Sequence, residues 1–126
     1  MKHRILVVED ESSNRELLGG WLETEGFEAV LADTLEAAFI LIAAEPLPEA
    51  VLLDIHLGNK NSLTLVHWAR KQKHLAHIPI VAVTGDASIK DKKSVQEAGC
   101  DACFIKPVDF DALREFLATL RVHSSG

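Results

Sequence analysis

The sequence predicts an α/β domain in which a parallel sheet of five strands is covered by helices on both faces. Short β-branched or aliphatic runs alternate with stretches of helical period along the whole chain. The runs show little polar alternation, as strands buried on both faces do. No repeat, low-complexity tract or internal linker interrupts the pattern, so the expectation is one domain over 1–122 with a frayed tail at 123–126.

The elements follow in order. RILVV (4–8) is the first strand. Leu17, Leu18, Trp21 and Leu22 then recur at helical spacing, with Ser13 and Glu16 at capping-box spacing before them and Gly26 as the breaker behind. EAVLA (28–32) is the second strand, and its helix rests on Leu35, Ala38, Phe39 and Ile42, with Asp33 and Glu36 spaced as a cap. Pro46 and Pro48 interrupt the chain before the third strand, AVLLD (50–54). A polar loop leads to a helix anchored by Leu65, Val66 and Ala69. The fourth strand, IPIVAV (78–83), opens around Pro79. Helix 88–98 has only Ile89, Val95 and Ala98 as aliphatic anchors, is expected to be the loosest element, and stops at Gly99. ACFI (102–105) is the fifth strand, and helix 109–121 carries Phe110, Leu113, Leu117 and Leu120.

Thirteen basic against nineteen acidic residues leave a net charge of −6, which argues against direct binding to nucleic acid or to an anionic membrane. The apolar run after the basic start is too short for a signal peptide or a membrane span. Cys100 and Cys103 are the only cysteines, so a reducing, cytoplasmic setting is expected. Their C-x-x-C spacing straddles a loop and a strand rather than a helix N-terminus, and side chains three apart on a strand face opposite sides, which points to small buried thiols. His67, His74 and His77 follow no metal-ligand pattern, and KDKK (90–93) reads as a solvated helix face.

In such a sheet ligands bind beyond the carboxyl ends of the strands. There the chain places Glu9, Asp10 and Glu11 after the first strand and Asp54 at the end of the third. Thr84, Gly85 and Asp86 follow the fourth strand, and Lys106 and Pro107 the fifth. The second strand ends without a distinctive group, at Ala32 and Asp33. Acids, a hydroxyl and an ammonium converge on one edge.

The pieces ILVVED, VLLDIHL, IPIVAVTG and FIKP, in that order and spacing, resemble the receiver domain of two-component response regulators over nearly the whole chain. The resemblance implies a flavodoxin-like doubly wound (βα)5 fold with strand order 2-1-3-4-5. It also implies a module that takes a phosphoryl group from a phosphohistidine, on a sensor histidine kinase or a histidine phosphotransfer protein, onto Asp54. Glu9, Asp10 and Asp54 match the carboxylates around a divalent ion, with the backbone carbonyl of His56 as a further ligand. Thr84 and Gly85 match the switch position, Lys106 the phosphoryl-binding lysine, and His56 and Asp86 the positions that tune hydrolysis. The kinase side is expected near the first helix, and a downstream protein partner on helix 88–98, strand 102–105 and helix 109–121. The Lys106–Pro107 bond is often cis in receivers. A start at Met1 beside the pocket suggests a stand-alone or N-terminal receiver.

The physics of the residues agrees. Two carboxylates about 4 Å apart repel by roughly 4 kcal/mol at an effective dielectric near 20, so clustered acids raise each other's pKa or call for a cation. A few oxygen ligands suit hydrated Mg²⁺, with Mn²⁺ as a substitute, rather than zinc.

Three positions depart from the family pattern. Cys103 stands where receivers usually carry the switch aromatic, with Phe104 beside it. Gly58 and Ser62 occupy places where many receivers have proline and glycine, which suggests a more mobile loop. Glu9 is the less common choice for the first acid. Apart from self-phosphorylation and slow auto-dephosphorylation, no enzymatic activity is expected. The rivals are a non-phosphorylated adaptor, an aspartate-nucleophile hydrolase, which lacks its second acid because His56 stands there, and an FMN binder, for which EDESS is too acidic.

Overall fold

The computed structural model describes residues 3–85 and 88–124. Five parallel strands, β1 (Arg4–Val8), β2 (Glu28–Ala32), β3 (Ala50–Asp54), β6 (Ile80–Thr84) and β7 (Ala102–Ile105), form one sheet in the order β2-β1-β3-β6-β7. This is the predicted 2-1-3-4-5 order, because β4 (His56–Leu57) and β5 (Lys60–Asn61) are a separate antiparallel hairpin in the predicted polar loop.

Alternation along the strands sorts the core into two layers. Leu6, Val8, Val51, Leu53, Ile80 and Ala82 face one way. There they meet α2 (Leu35–Ile42), α3 (Leu63–Arg70) and α4 (Ile89–Ala98). Ile5, Val7, Leu52 and Val81 face the other way, against α1 (Ser12–Thr24) and α5 (Phe110–Ser124). Both faces of β3 and β6 are buried throughout, which is why their sequences show no polar alternation. Of the weak α4 anchors, Val95 and Ala98 are buried, and the Ile89 side chain lies outside the described residues.

Several boundaries differ from expectation. The fourth strand begins at Ile80 rather than residue 78, because Pro79 has no N–H and only its carbonyl joins the ladder, accepting from Val51 N at 2.9 Å. Ser13 is not a helix cap. Helix α1 starts at Ser12, with Glu11 at the N-cap two residues earlier than expected, and the Ser13 hydroxyl donates to Glu11 Oε1 at 2.7 Å. At α2 the cap is Thr34, whose hydroxyl oxygen accepts from Ala37 N at 3.1 Å, so Asp33 stays outside the helix. The breakers are as expected: Gly26 (φ 90°) and Gly99 (φ 104°) adopt left-handed backbone that a side chain would disfavour. Lys106–Pro107 and Glu45–Pro46 are cis.

Leu17, expected in the core, is 58% exposed. Cys100 and Cys103 are free, and both pack against the α3–α4 layer rather than on opposite faces. Strand alternation does not apply to Cys100, which precedes β7. Burial pushes the Cys100 thiol up to about 12, the wrong direction for a nucleophile.

Candidate functional site

The strand ends bring the predicted groups together. Glu9 follows β1 and continues its ladder, its N–H donating to the Ala32 carbonyl at 3.0 Å. The residue is 1% exposed. Its Oε1 accepts from Lys106 Nζ at 2.8 Å, and its Oε2 accepts from the N–H of Glu11 at 3.2 Å. Asp54 ends β3 and is also buried. Its Oδ2 accepts from Lys106 Nζ at 3.2 Å and its Oδ1 from His56 N at 3.2 Å. Asp10 is exposed and accepts from Gly58 N at 2.8 Å. One oxygen each of Glu9, Asp10 and Asp54 lie within 4.8 Å of one another.

Two of the three carboxylates, Glu9 and Asp54, therefore share the Lys106 ammonium. Burial holds the Glu9 carboxyl above the usual carboxylate range; the hydrogen bond from Lys106 opposes this, and the neighbouring Asp54 reinforces it. Burial works against the charge of Lys106, but its hydrogen bond to Glu9 and the charge of Asp54 outweigh it, and its pKa is raised. The ammonium stays charged over the physiological range.

Thr84 closes β6 and is 1% exposed, its carbonyl accepting from Lys106 N at 2.8 Å. Strand pairing sets Thr84 against Ile105, beside Lys106. Gly85 is exposed and faces open space. His56 is exposed on the hairpin, two residues past Asp54 at the end of the strand. Asp86 lies outside the described residues.

Two cavities flank the acids. One, about 390 Å³, lies between α1 and the β7–α5 junction, lined by Glu9, Asn14, Leu17, Lys106, Pro107 and Phe110 among others. The other, about 220 Å³, includes Asp10, Thr34, Gly58 and Lys60. A larger one of about 410 Å³ lies at the opposite edge, where Pro48 and Pro79 precede their strands, away from the acid cluster.

A family model described as the response regulator receiver domain matches residues 5–118. The chain belongs to the response regulator receiver family. It is 30% identical over 122 residues to the polar-differentiation response regulator DivK of Brucella ovis, covering 96% of this chain and 95% of that protein. Among solved structures, a CheY-like receiver domain protein from Methanospirillum hungatei superposes with a TM-score of 0.86 at 28% identity, covering 100% of both chains. A receiver protein from Pseudomonas putida gives 0.86 at 28% identity over 94% of this chain and 98% of that one.

Arg15 escaped the sequence reading, and Ser62 was noted there only as a departure, without its bonds to the strand end. Arg15 donates from one guanidinium nitrogen to the carbonyls of Glu9 (3.0 Å) and Asp10 (3.2 Å), bracing the acidic turn from the first turns of α1. Its signal was its place four residues after Glu11, one turn into the helix. Ser62 is fully buried, and its hydroxyl donates to the carbonyls of Asp54 and of Ile55, the latter at 3.0 Å. Its N–H adds a bond to Ile55 O at 2.9 Å.

These bonds brace the loop that follows Asp54. The Ser62 hydroxyl ties the far end of the loop to the backbone of Asp54, and Gly58, at φ 61°, points its N–H into Asp10. Cys103 packs against the core layer of α2, α3 and α4, while Phe104 packs into the α1–α5 layer.

Proposed function

We propose that this receiver accepts a phosphoryl group from a phosphohistidine onto Asp54 and that the aspartyl phosphate shifts its conformational population. The reading rests above all on Lys106, whose ammonium bridges Glu9 and Asp54 at 2.8 and 3.2 Å beside a third carboxylate. In an in-line transfer an Asp54 oxygen attacks phosphorus, the P–N bond to the donor imidazole breaks, and the electron pair leaves with nitrogen. Strand β3 and the Ser62 bonds keep the acceptor backbone in place.

Glu9, Asp10, Asp54 and the His56 carbonyl offer only oxygen donors, a set that fits Mg²⁺ or Mn²⁺. Such an ion, when bound, neutralises negative charge on the transferred group. Lys106 offers its ammonium to the phosphoryl oxygens. The Thr84 hydroxyl donates to one of them and draws Gly85 inward. Hydrolysis by water returns the Asp54 carboxylate and releases inorganic phosphate, at a rate tuned by His56 and Asp86.

The donor, a sensor histidine kinase or histidine phosphotransfer protein, docks at the α1 side. There the exposed Leu17 stands beside Lys106 and Pro107, an apolar handle next to the acids. The output partner uses α4, β7 and α5. Among the described residues no helix is long and apolar enough to cross a membrane, and we assign the chain to the cytoplasm.

The deciding experiment incubates the protein with acetyl phosphate, or with beryllofluoride, in the presence of Mg²⁺. With acetyl phosphate, wild type gains the mass of one phosphoryl group; with either reagent it shifts NMR resonances around Thr84, and Asp54→Asn does neither. A wild type without any Mg²⁺-dependent adduct would favour a constitutive adaptor.

A further inference from the structure

Of the three clustered carboxylates, Glu9 and Asp54 are buried and both accept from the Lys106 ammonium. Asp10 is exposed, and its carboxylate is held instead by a main-chain donor, the N–H of Gly58, at 2.8 Å on Oδ2. An unrestrained Asp side chain samples several rotamers, and ordering it at the moment of binding weakens the complex.

The hairpin turn aims this donor. His56 pairs with Asn61 and Leu57 with Lys60, which leaves Gly58 and Asn59 as a two-residue turn. The positive φ falls on the first of them, as in a type II′ loop, and 61° is left-handed backbone that glycine adopts without strain. The turn is anchored on both sides. The hydroxyl and N–H of Ser62 fix its base to the end of β3, and Lys60 pairs with Glu36 of α2. A Cβ placed on Gly58 would come to 4.0 Å from Asp10 Oδ2, so the carboxylate sits directly against the turn.

We infer that Gly58 is a positioning residue for the divalent ion: its N–H sets the Asp10 carboxylate in its ligating place before the ion arrives. This rests on the reading that Glu9, Asp10 and Asp54 hold such an ion. A bonded Oδ2 keeps a free lone pair and Oδ1 keeps both of its own, so Asp10 can serve donor and ion together. Removing an outer donor of this kind typically weakens metal binding by about 10- to 100-fold. By linkage, an ion that gains from the bond must strengthen it in return by the same factor.

Mn²⁺ binding, followed by the paramagnetic resonance of the free ion, tests this. Gly58→Pro has no N–H and cannot take a positive φ, and it should weaken Mn²⁺ binding about tenfold or more. Gly58→Asn keeps the N–H and tolerates left-handed backbone, and should stay within about threefold of wild type. A double-mutant cycle with Asp10→Ala separates positioning from distortion. If Gly58 acts through Asp10, Gly58→Pro costs nothing further once the carboxylate is gone. A further loss in that background would mean a distorted hairpin and overturns the proposal. Equal Mn²⁺ affinity in Gly58→Pro and wild type also overturns it, while leaving the metal site itself intact. Should Gly58→Pro fail to fold, hydrogen exchange of the wild-type Gly58 amide decides. Mg²⁺ should slow that exchange about tenfold, and an unchanged rate with the ion bound overturns the proposal. A wild type that binds no Mn²⁺ refutes the metal reading, and this inference with it.

Discussion

Replacing Lys106 by methionine keeps the length of the side chain and removes the one ammonium among the acids. The two contacts it makes, at 2.8 and 3.2 Å, are each worth about 5 to 6 kcal/mol in gross attraction at an effective dielectric near 20, and desolvation offsets most of that. Breaking a buried pair by deleting one partner typically costs 3–5 kcal/mol. The Lys106 side chain is 28% exposed while those of Glu9 and Asp54 are 2% and 9%, so the expected loss is smaller, about 2–3 kcal/mol at pH 7.5. Urea unfolding without divalent ions measures it. The loss should shrink as pH falls through the raised Glu9 pKa, because a protonated Glu9 needs no counter-charge, and Mg²⁺ should recover part of it. A loss below about 0.5 kcal/mol, within the range of ordinary surface substitutions, or one that stays the same as Glu9 is titrated, would refute the view that the ammonium compensates these acids.

Three further expectations concern the same frame. The stabilisation contributed by Lys106 is fully present below its ordinary pKa of 10.5 and is lost as pH rises through the higher folded-state value, so wild type should lose more Tm than Lys106→Met between pH 10 and 12. Glu9 acts in the same sense at lower pH: with its folded pKa above the ordinary 4.5, its contribution is present below 4.5 and declines as pH rises through the raised folded-state value, and Glu9→Gln should flatten this part of the stability profile. Arg70 donates to the carbonyls of Ala76, Ile78 and Gly99 and to the Asp101 carboxylate, so Arg70→Ala should cost about 3 kcal/mol in urea unfolding, with Arg70→Lys recovering less than half. Ser62→Ala should cost about 1–2 kcal/mol by the same measurement, through the lost bonds to the Asp54 and Ile55 carbonyls; an unchanged midpoint would count against that role.

What the chain announces by itself is whatever depends on local period and strand ends. Four of the five sheet strands lie where their aliphatic runs do, since a strand buried on both faces must be apolar throughout. Parallel pairing then forces Glu9, Asp54, Thr84 and Lys106 to one edge, because each follows or closes its own strand. Neighbouring residues that could serve as caps are not separated by sequence spacing alone: Thr34 rather than Asp33, and Glu11 rather than Ser13, lie in the extended geometry of the cap position. Residues distant in sequence decide the rest. That Lys106 meets both Glu9 and Asp54, that Gly58 holds Asp10, that Ser62 spends its hydroxyl on Asp54's backbone and that Leu17 and Ile40 stay outside are matters of how strands register and layers pack. Local composition lists which groups are available, and only the packed sheet sets the separations on which their electrostatics depend.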